Sequence, residues 1–150
     1  MFTKILYPTD FSEKSIHALQ TVKKLKEAGT KTVIVLHCVD IREINTIAEM
    51  EGFSSLRYEN LVDEIRKSLW KKTEGELRKI SGELKAFGFS VEERLVEGIP
   101  YKEILRIAEK ENVDVIVIGS TGKGLLKEMV LGSTSEKVVR EATCPVIIVK

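Results

Sequence analysis

The sequence predicts an α/β fold built on an open parallel β-sheet, with helices covering both faces. Two observations predict it. Strand-like and helix-like segments alternate along the 150 residues as β-α-β-α-β-α-β-α-β, the pattern of repeated parallel crossover units. Two of the strand segments, residues 32–39 and 113–118, are nearly unbroken aliphatic and β-branched runs. Such runs belong to strands buried on both faces.

Each element can be justified in turn. Residues 4–8, KILYP, form a short apolar strand that stops at Pro8. Residues 13–28 carry Ile16, Leu19, Val22 and Leu25 at spacings of three and end at Gly29, a helix with an ordinary stop. After the strand at 32–39, residues 40–57 are mixed in pattern, with Gly52 and a serine pair, and read as a mobile surface connection. Helical spacing resumes over 58–87 through Leu61, Ile65, Leu69, Leu77, Ile80 and Leu84, and Gly88 closes it. Trp70 falls in that apolar stripe and is assigned to the core. Residues 90–96 are a less apolar strand, suited to a sheet edge. Pro100 precedes a helix over 101–111, a favoured start residue. The buried strand 113–118, a helix over 136–142 and a last strand over 145–149 complete a single domain covering 1–150.

Composition excludes several function classes. A hydrophobic share of 43% with 31% charged residues describes a water-soluble globular chain. A net charge of +1 offers no electrostatic footprint for nucleic acid or an anionic membrane. No run approaches the roughly 18 apolar residues of a membrane span. The first residues lead into a strand rather than a signal peptide, so a cytoplasmic location is expected. Cys38 and Cys144 have no partner at metal-ligand spacing and read as buried free thiols. Glu and Lys dominate the charges and only four side-chain amides occur, Gln20, Asn45, Asn60 and Asn112, a usage typical of proteins from hot habitats.

The chemistry concentrates in VIVIGSTGKGLLKEMVLGSTSEKVVREATCPVIIVK. Two glycine clusters, Gly119-Ser120-Thr121-Gly122 and Gly132-Ser133-Thr134, follow an apolar strand. Missing Cβ atoms let backbone N–H groups approach a phosphate, and a helix N-terminus behind them adds donors and dipole. The common templates do not fit. A Walker loop needs a serine or threonine after Gly122-Lys123, where Gly124 stands, and a glycine where Val117 stands. A GxGxxG fingerprint fails because Lys127 occupies its last position.

What remains is Gly119-x2-Gly122-x9-Gly132-Ser133. With ILYPTDFS at the start, GIP at 98–100, VDVIVIGS and TCPVIIVK, this pattern resembles the ATP-binding subclass of the universal stress protein family. The resemblance covers the whole chain except roughly residues 41–60. It implies a flavodoxin-like sheet of five strands in the order 3-2-1-4-5, of the adenine-nucleotide alpha-hydrolase type. Strands 1 and 4 are then neighbours at a topological switch point, where open sheets bind ligands. By similarity, Asp10 would bond the ribose or adenine side, with Pro8 and Thr9 on the floor. Backbone at Cys38 would meet the adenine edge and Ile118 would pack on the base. Gly119, Ser120, Gly122 and Lys123 would border sugar and phosphates, and Gly132, Ser133 and Thr134 would grip the phosphates. ATP is the implied ligand, with a divalent cation, Mg or Mn, bridging its phosphates. Thr121 departs from relatives that carry His or Arg there.

Simpler roles stand beside these. Asp10 with Glu13 three residues on has the spacing of a capping box for the first helix. Ser133 and Thr134 are equally good caps for a helix beginning near Ser135. His17 and His37 read as structural. The expected function is an ATP-dependent regulatory switch acting on an unidentified protein partner. Hydrolysis needs a positioned water and a charge clamp, and the motif region offers no Gln, Arg or His for it, with Arg140 about two turns away. No catalytic residue is therefore assigned. An adenine-nucleotide hydrolase or transferase, and a non-nucleotide scaffold, remain as alternatives. The apolar final strand, from Pro145 through Val149, has nothing after it to cover its edge. A homodimer through that strand is expected.

Overall fold

The computed structural model describes residues 1–50, 55–120 and 131–150. Its elements run β1 (Lys4–Pro8), α1 (Glu13–Lys24), β2 (Thr32–Asp40), α2 (Ile41–Met50), α3 (Ser55–Ala86), β3 (Ser90–Gly98), α4 (Pro100–Lys110), β4 (Val115–Gly119), α5 (Ser133–Glu141) and β5 (Val146–Val149). All pairings are parallel, and the strand order is β3-β2-β1-β4-β5. The predicted fold and order are those observed, and β3 is the edge strand its composition suggested.

Side chains alternate across the sheet. Ile5 and Tyr7 of β1, with Val33 and Val35 of β2, point to one face and meet Ala18, Leu19 and Val22 of α1 and Leu77, Ile80 and Leu84 of α3. Leu6, Ile34 and Leu36 point to the other and meet Ile104, Ile107 and Ala108 of α4 and Val138 of α5. Most of the residues in both layers are fully buried. β1 thus leads to a helix on one face, while β4 is flanked in sequence by α4 and α5 on the other. The chain departs from the two central strands in opposite directions, which opens a crevice past their carboxyl ends.

Three expectations need correction. Residues 41–50 are not an irregular connection but a helix, with Ile44 and Ala48 buried and Asp40 Oδ1 accepting the Arg42 N–H at 2.9 Å. Residues 51–54 of the same predicted connection lie outside the described residues. Trp70 is half-buried rather than core, its indole N–H donating to Glu74 Oε1 at 3.1 Å. Cys38 and Cys144 are free but only half-buried.

Candidate functional site

A cleft of about 260 Å³ opens past the carboxyl ends of β1, β2 and β4, near the lower end of the roughly 300–1,000 Å³ of small-molecule sites. Its floor is the turn after β1. Pro8 and Thr9 line it, and the Thr9 N–H closes the ladder on Leu36 O at 2.8 Å. Phe11 then takes a left-handed conformation, φ 62°, unusual for a residue with a Cβ. That turn carries the chain away from the sheet. Ser12, not Asp10, caps α1: its side chain accepts from Ser15 N–H. The Asp10–Glu13 capping box is therefore not formed. Asp10 instead accepts the Ser12 N–H at 3.0 Å, which sets its carboxylate at the cleft wall.

Beneath this turn lies a buried hydroxyl network. Tyr7 donates to Ser15 O at 2.7 Å, the Thr9 and Ser15 hydroxyls bond each other, and His37 Nδ1 lies 2.7 Å from Thr9 O. Phe11 stacks on the His37 ring, with centroids 4.7 Å apart. His37 is buried, and one side of it also lines the cleft. His17 is exposed.

The wall formed by β2 has a distinctive edge. In a parallel strand the N–H and C=O of one residue point to the same side, and alternate residues share that side. Leu36 O faces β1, so the N–H and C=O of Cys38 face the same way, beyond the last β1 residue. A donor and an acceptor therefore sit side by side at the cleft wall. Burial, then the nearby carboxylates of Glu103 and Asp40, push the Cys38 thiol up to about 12, which disfavours the thiolate. Ile118, Leu36, Pro100 and Ile104 supply apolar surface around that edge.

At the opposite end stands α5. Gly132 is its N-cap in extended conformation, and no side chain caps the helix. Ser133 and Thr134 thus begin the helix rather than cap a later one. The Gly132 N–H donates to Ser120 O at 2.8 Å, and Ser135 Oγ donates to the same oxygen at 2.8 Å. These bonds fasten the turn to the end of β4. Ser120 itself is buried behind the cleft wall and does not line it. Gly119 lines the cleft, and it has a packing reason too. A Cβ there would stand 3.0 Å from the backbone of Lys14 and Ser15, so any larger residue would press α1 away from β4.

Of the sequence-predicted residues, Pro8, Thr9, Asp10, Cys38, Ile118, Gly119, Gly132, Ser133 and Thr134 converge on this one cleft. Gly122 and Lys123 lie outside the described residues. Sequence reasoning missed Asp40, Arg42 and Glu43 on the rim, because they stand in the stretch read as a loop. Arg42 forks onto Asp40 at 2.9 and 2.7 Å. Burial works against the Asp40 charge, but the Arg42 bonds win and hold it below the usual carboxylate range.

The sequence pattern of the universal stress protein family matches residues 1–150. The universal stress protein MJ0577 of Methanocaldococcus jannaschii is 41% identical over all of this chain and 96% of its own. Its solved structure superposes with a TM-score of 0.88. The universal stress protein YxiE of Bacillus subtilis is 35% identical over the full length of both chains. The universal stress protein of Archaeoglobus fulgidus solved in complex with dAMP is 20% identical, with a TM-score of 0.61 over the whole of both chains, and shares the fold.

Proposed function

From the chain's place as a member of the universal stress protein family, we propose that its cleft holds ATP, with the base at the β2 edge and the phosphates on the first turn of α5. One observation carries this reading: a paired backbone donor and acceptor at Cys38 and an uncapped helix N-terminus at Gly132 face the same cleft. Adenine presents an adjacent acceptor and donor at N1 and N6, which such an edge complements. The first N–H groups of a helix have no intrahelical partners and favour an anion. The dAMP complex of the A. fulgidus relative is consistent with an adenine nucleotide on this fold.

A divalent cation fits here as part of the nucleotide. Among the described residues no three His, Cys, Asp or Glu side chains gather to hold a metal. The Ser133 and Thr134 hydroxyls line the cleft and are hard oxygen donors of the kind Mg²⁺ or Mn²⁺ accepts. Held there, the ion would neutralise phosphate charge.

Slow turnover is expected from the remaining polar groups among the described residues. Arg42 is forked on Asp40, Arg140 is paired with Glu136, and His37 Nδ1 is joined to Thr9 O. None of these bonds leaves its group aimed at a terminal phosphate. ATP-filled and empty states would then persist long enough to present different surfaces to a partner protein, which is the switch. The first test is to purify the protein without added nucleotide, denature it, and identify what is released. ATP release, with a melting temperature raised by added Mg-ATP, is expected. ADP or AMP with turnover near 1 per second or faster would establish the hydrolase instead. No release and no shift would leave the scaffold.

A second copy of the chain is the proposed partner of β5. Among the described residues that strand pairs with β4 on one side only, and its Val146, Ile147 and Ile148 are half-buried. Light scattering at micromolar concentration should give twice the 16.9 kDa of one chain; the mass of one chain would remove the claim.

A further inference from the structure

We infer that Lys137 is a triphosphate sensor: a lysine held on the Tyr101 ring that leaves it to pair with the terminal phosphates of the bound nucleotide. This rests on the nucleotide reading above. Lys137 is exposed and lies one turn beyond Ser133 on α5, so the two share a helix face. Side chains on a helix lean toward its N-terminus, which here is the edge of the cleft. The Lys137 Nζ lies 4.5 Å from the centroid of Tyr101. Tyr101 follows Pro100, a cleft-lining residue at the start of α4. The ammonium is thus parked on the first turn of α4, and the Lys137 backbone lies about one helical pitch of 5.4 Å beyond Ser133 along α5.

The charges around it favour the move. Glu136 is held by Arg140 at 2.6 Å and Glu103 by Arg106 at 2.6 Å. Among the described residues, Lys137 has an aromatic ring as its partner and no carboxylate. A ring holds an exposed ammonium more weakly than a charge-assisted bond to phosphate does. A nucleotide whose chain of phosphates reaches past Ser133 draws Lys137 off the ring. A monophosphate ends short of it and leaves the lysine in place. The protein would then read phosphate number, and release of Tyr101 would mark the filled state on the surface between α4 and α5.

The test is calorimetric titration of wild type, Lys137→Gln and Lys137→Arg with Mg-ATP and with AMP. Lys137→Gln should weaken ATP about tenfold and AMP less than twofold, while Lys137→Arg keeps ATP within about threefold. Raising salt should erode the ATP preference of wild type and leave that of Lys137→Gln unchanged. If Lys137→Gln binds both ligands as wild type does, or loses both equally, the sensor is wrong and the nucleotide site stands. If wild type binds neither, the nucleotide reading fails and takes the sensor with it.

Discussion

The two ends of the sheet treat the same backbone groups in opposite ways. At the amino end every connection is stitched. The Lys4 N–H donates to Asp114 Oδ2 and the Asp114 N–H to Lys4 O, both at 2.8 Å. The Lys31 and Thr32 N–H groups share Thr3 O, and Thr30 Oγ1 donates to Phe2 O. Lys4 and Arg94 both reach Glu111. At the carboxyl end β1 stops early at Pro8, and neither α4 nor α5 has a side-chain cap. α1, whose N-terminus lies under the floor, is capped by Ser12, and Asp40 accepts the Arg42 N–H at the start of α2. Polar groups satisfied within the chain stabilise the fold; the groups left at the cleft are those a ligand would complete. The difference is what the proposed nucleotide site rests on, and it involves no catalytic residue.

The most severe way to break this contrast is to fill the carboxyl end. Gly132 has φ −64° and ψ 158°, a conformation any residue adopts, so Gly132→Val imposes no backbone strain. Its side chain would occupy the phosphate turn. ATP affinity should fall at least about 100-fold, roughly 2.7 kcal/mol, with the nucleotide-free melting temperature nearly unchanged. Titration calorimetry beside a thermal melt reads both. Cutting the amino end should do the reverse. Asp114→Ala leaves the Lys4 N–H without its acceptor and should cost about 1–3 kcal/mol in urea unfolding, with ATP affinity held within about twofold. If the two variants shift the same observable, the separation of the ends is false.

Most of the sheet could be read from the sequence because its strands are buried on both faces, and burial leaves a strong apolar record. Gly119 was visible for a related reason: it lines the cleft and lies tight against the backbone of α1. The failures share a cause as well. α2 is a short surface helix that buries only Ile44 and Ala48. Ile41, Ile44, Ile47 and Ala48 do stand at helical spacing, but the run is brief and is followed at once by Gly52 and a serine pair, the marks of a loop. With the helix lost, the rim residues Asp40, Arg42 and Glu43 were lost too. The cap of α1 moved from Asp10 to Ser12 because Phe11 adopts a left-handed turn, which nothing in the local spacing announces. Tertiary contact settled both.

The smallest expected effect sharpens the contrast through pH. Glu111 sits at the stitched end, where bonds from Arg94 at 3.1 Å and Lys4 at 3.3 Å hold its carboxyl below the usual range. A carboxylate depressed in the folded state adds stability above its unfolded pKa, about 4.3 for Glu. That contribution disappears as pH falls through the lower folded value. The urea midpoint of wild type should therefore drop between about pH 5 and pH 3 more steeply than that of Glu111→Gln. At neutral pH the two should differ modestly, since exposed pairs contribute little. Salt should shrink the gap further. Nucleotide affinity, which we propose is set at the other end of the sheet, should be the same for both proteins near neutral pH. If Glu111→Gln instead weakens ATP binding, the two ends are coupled through β1 and β4, and the stitched end is part of the site.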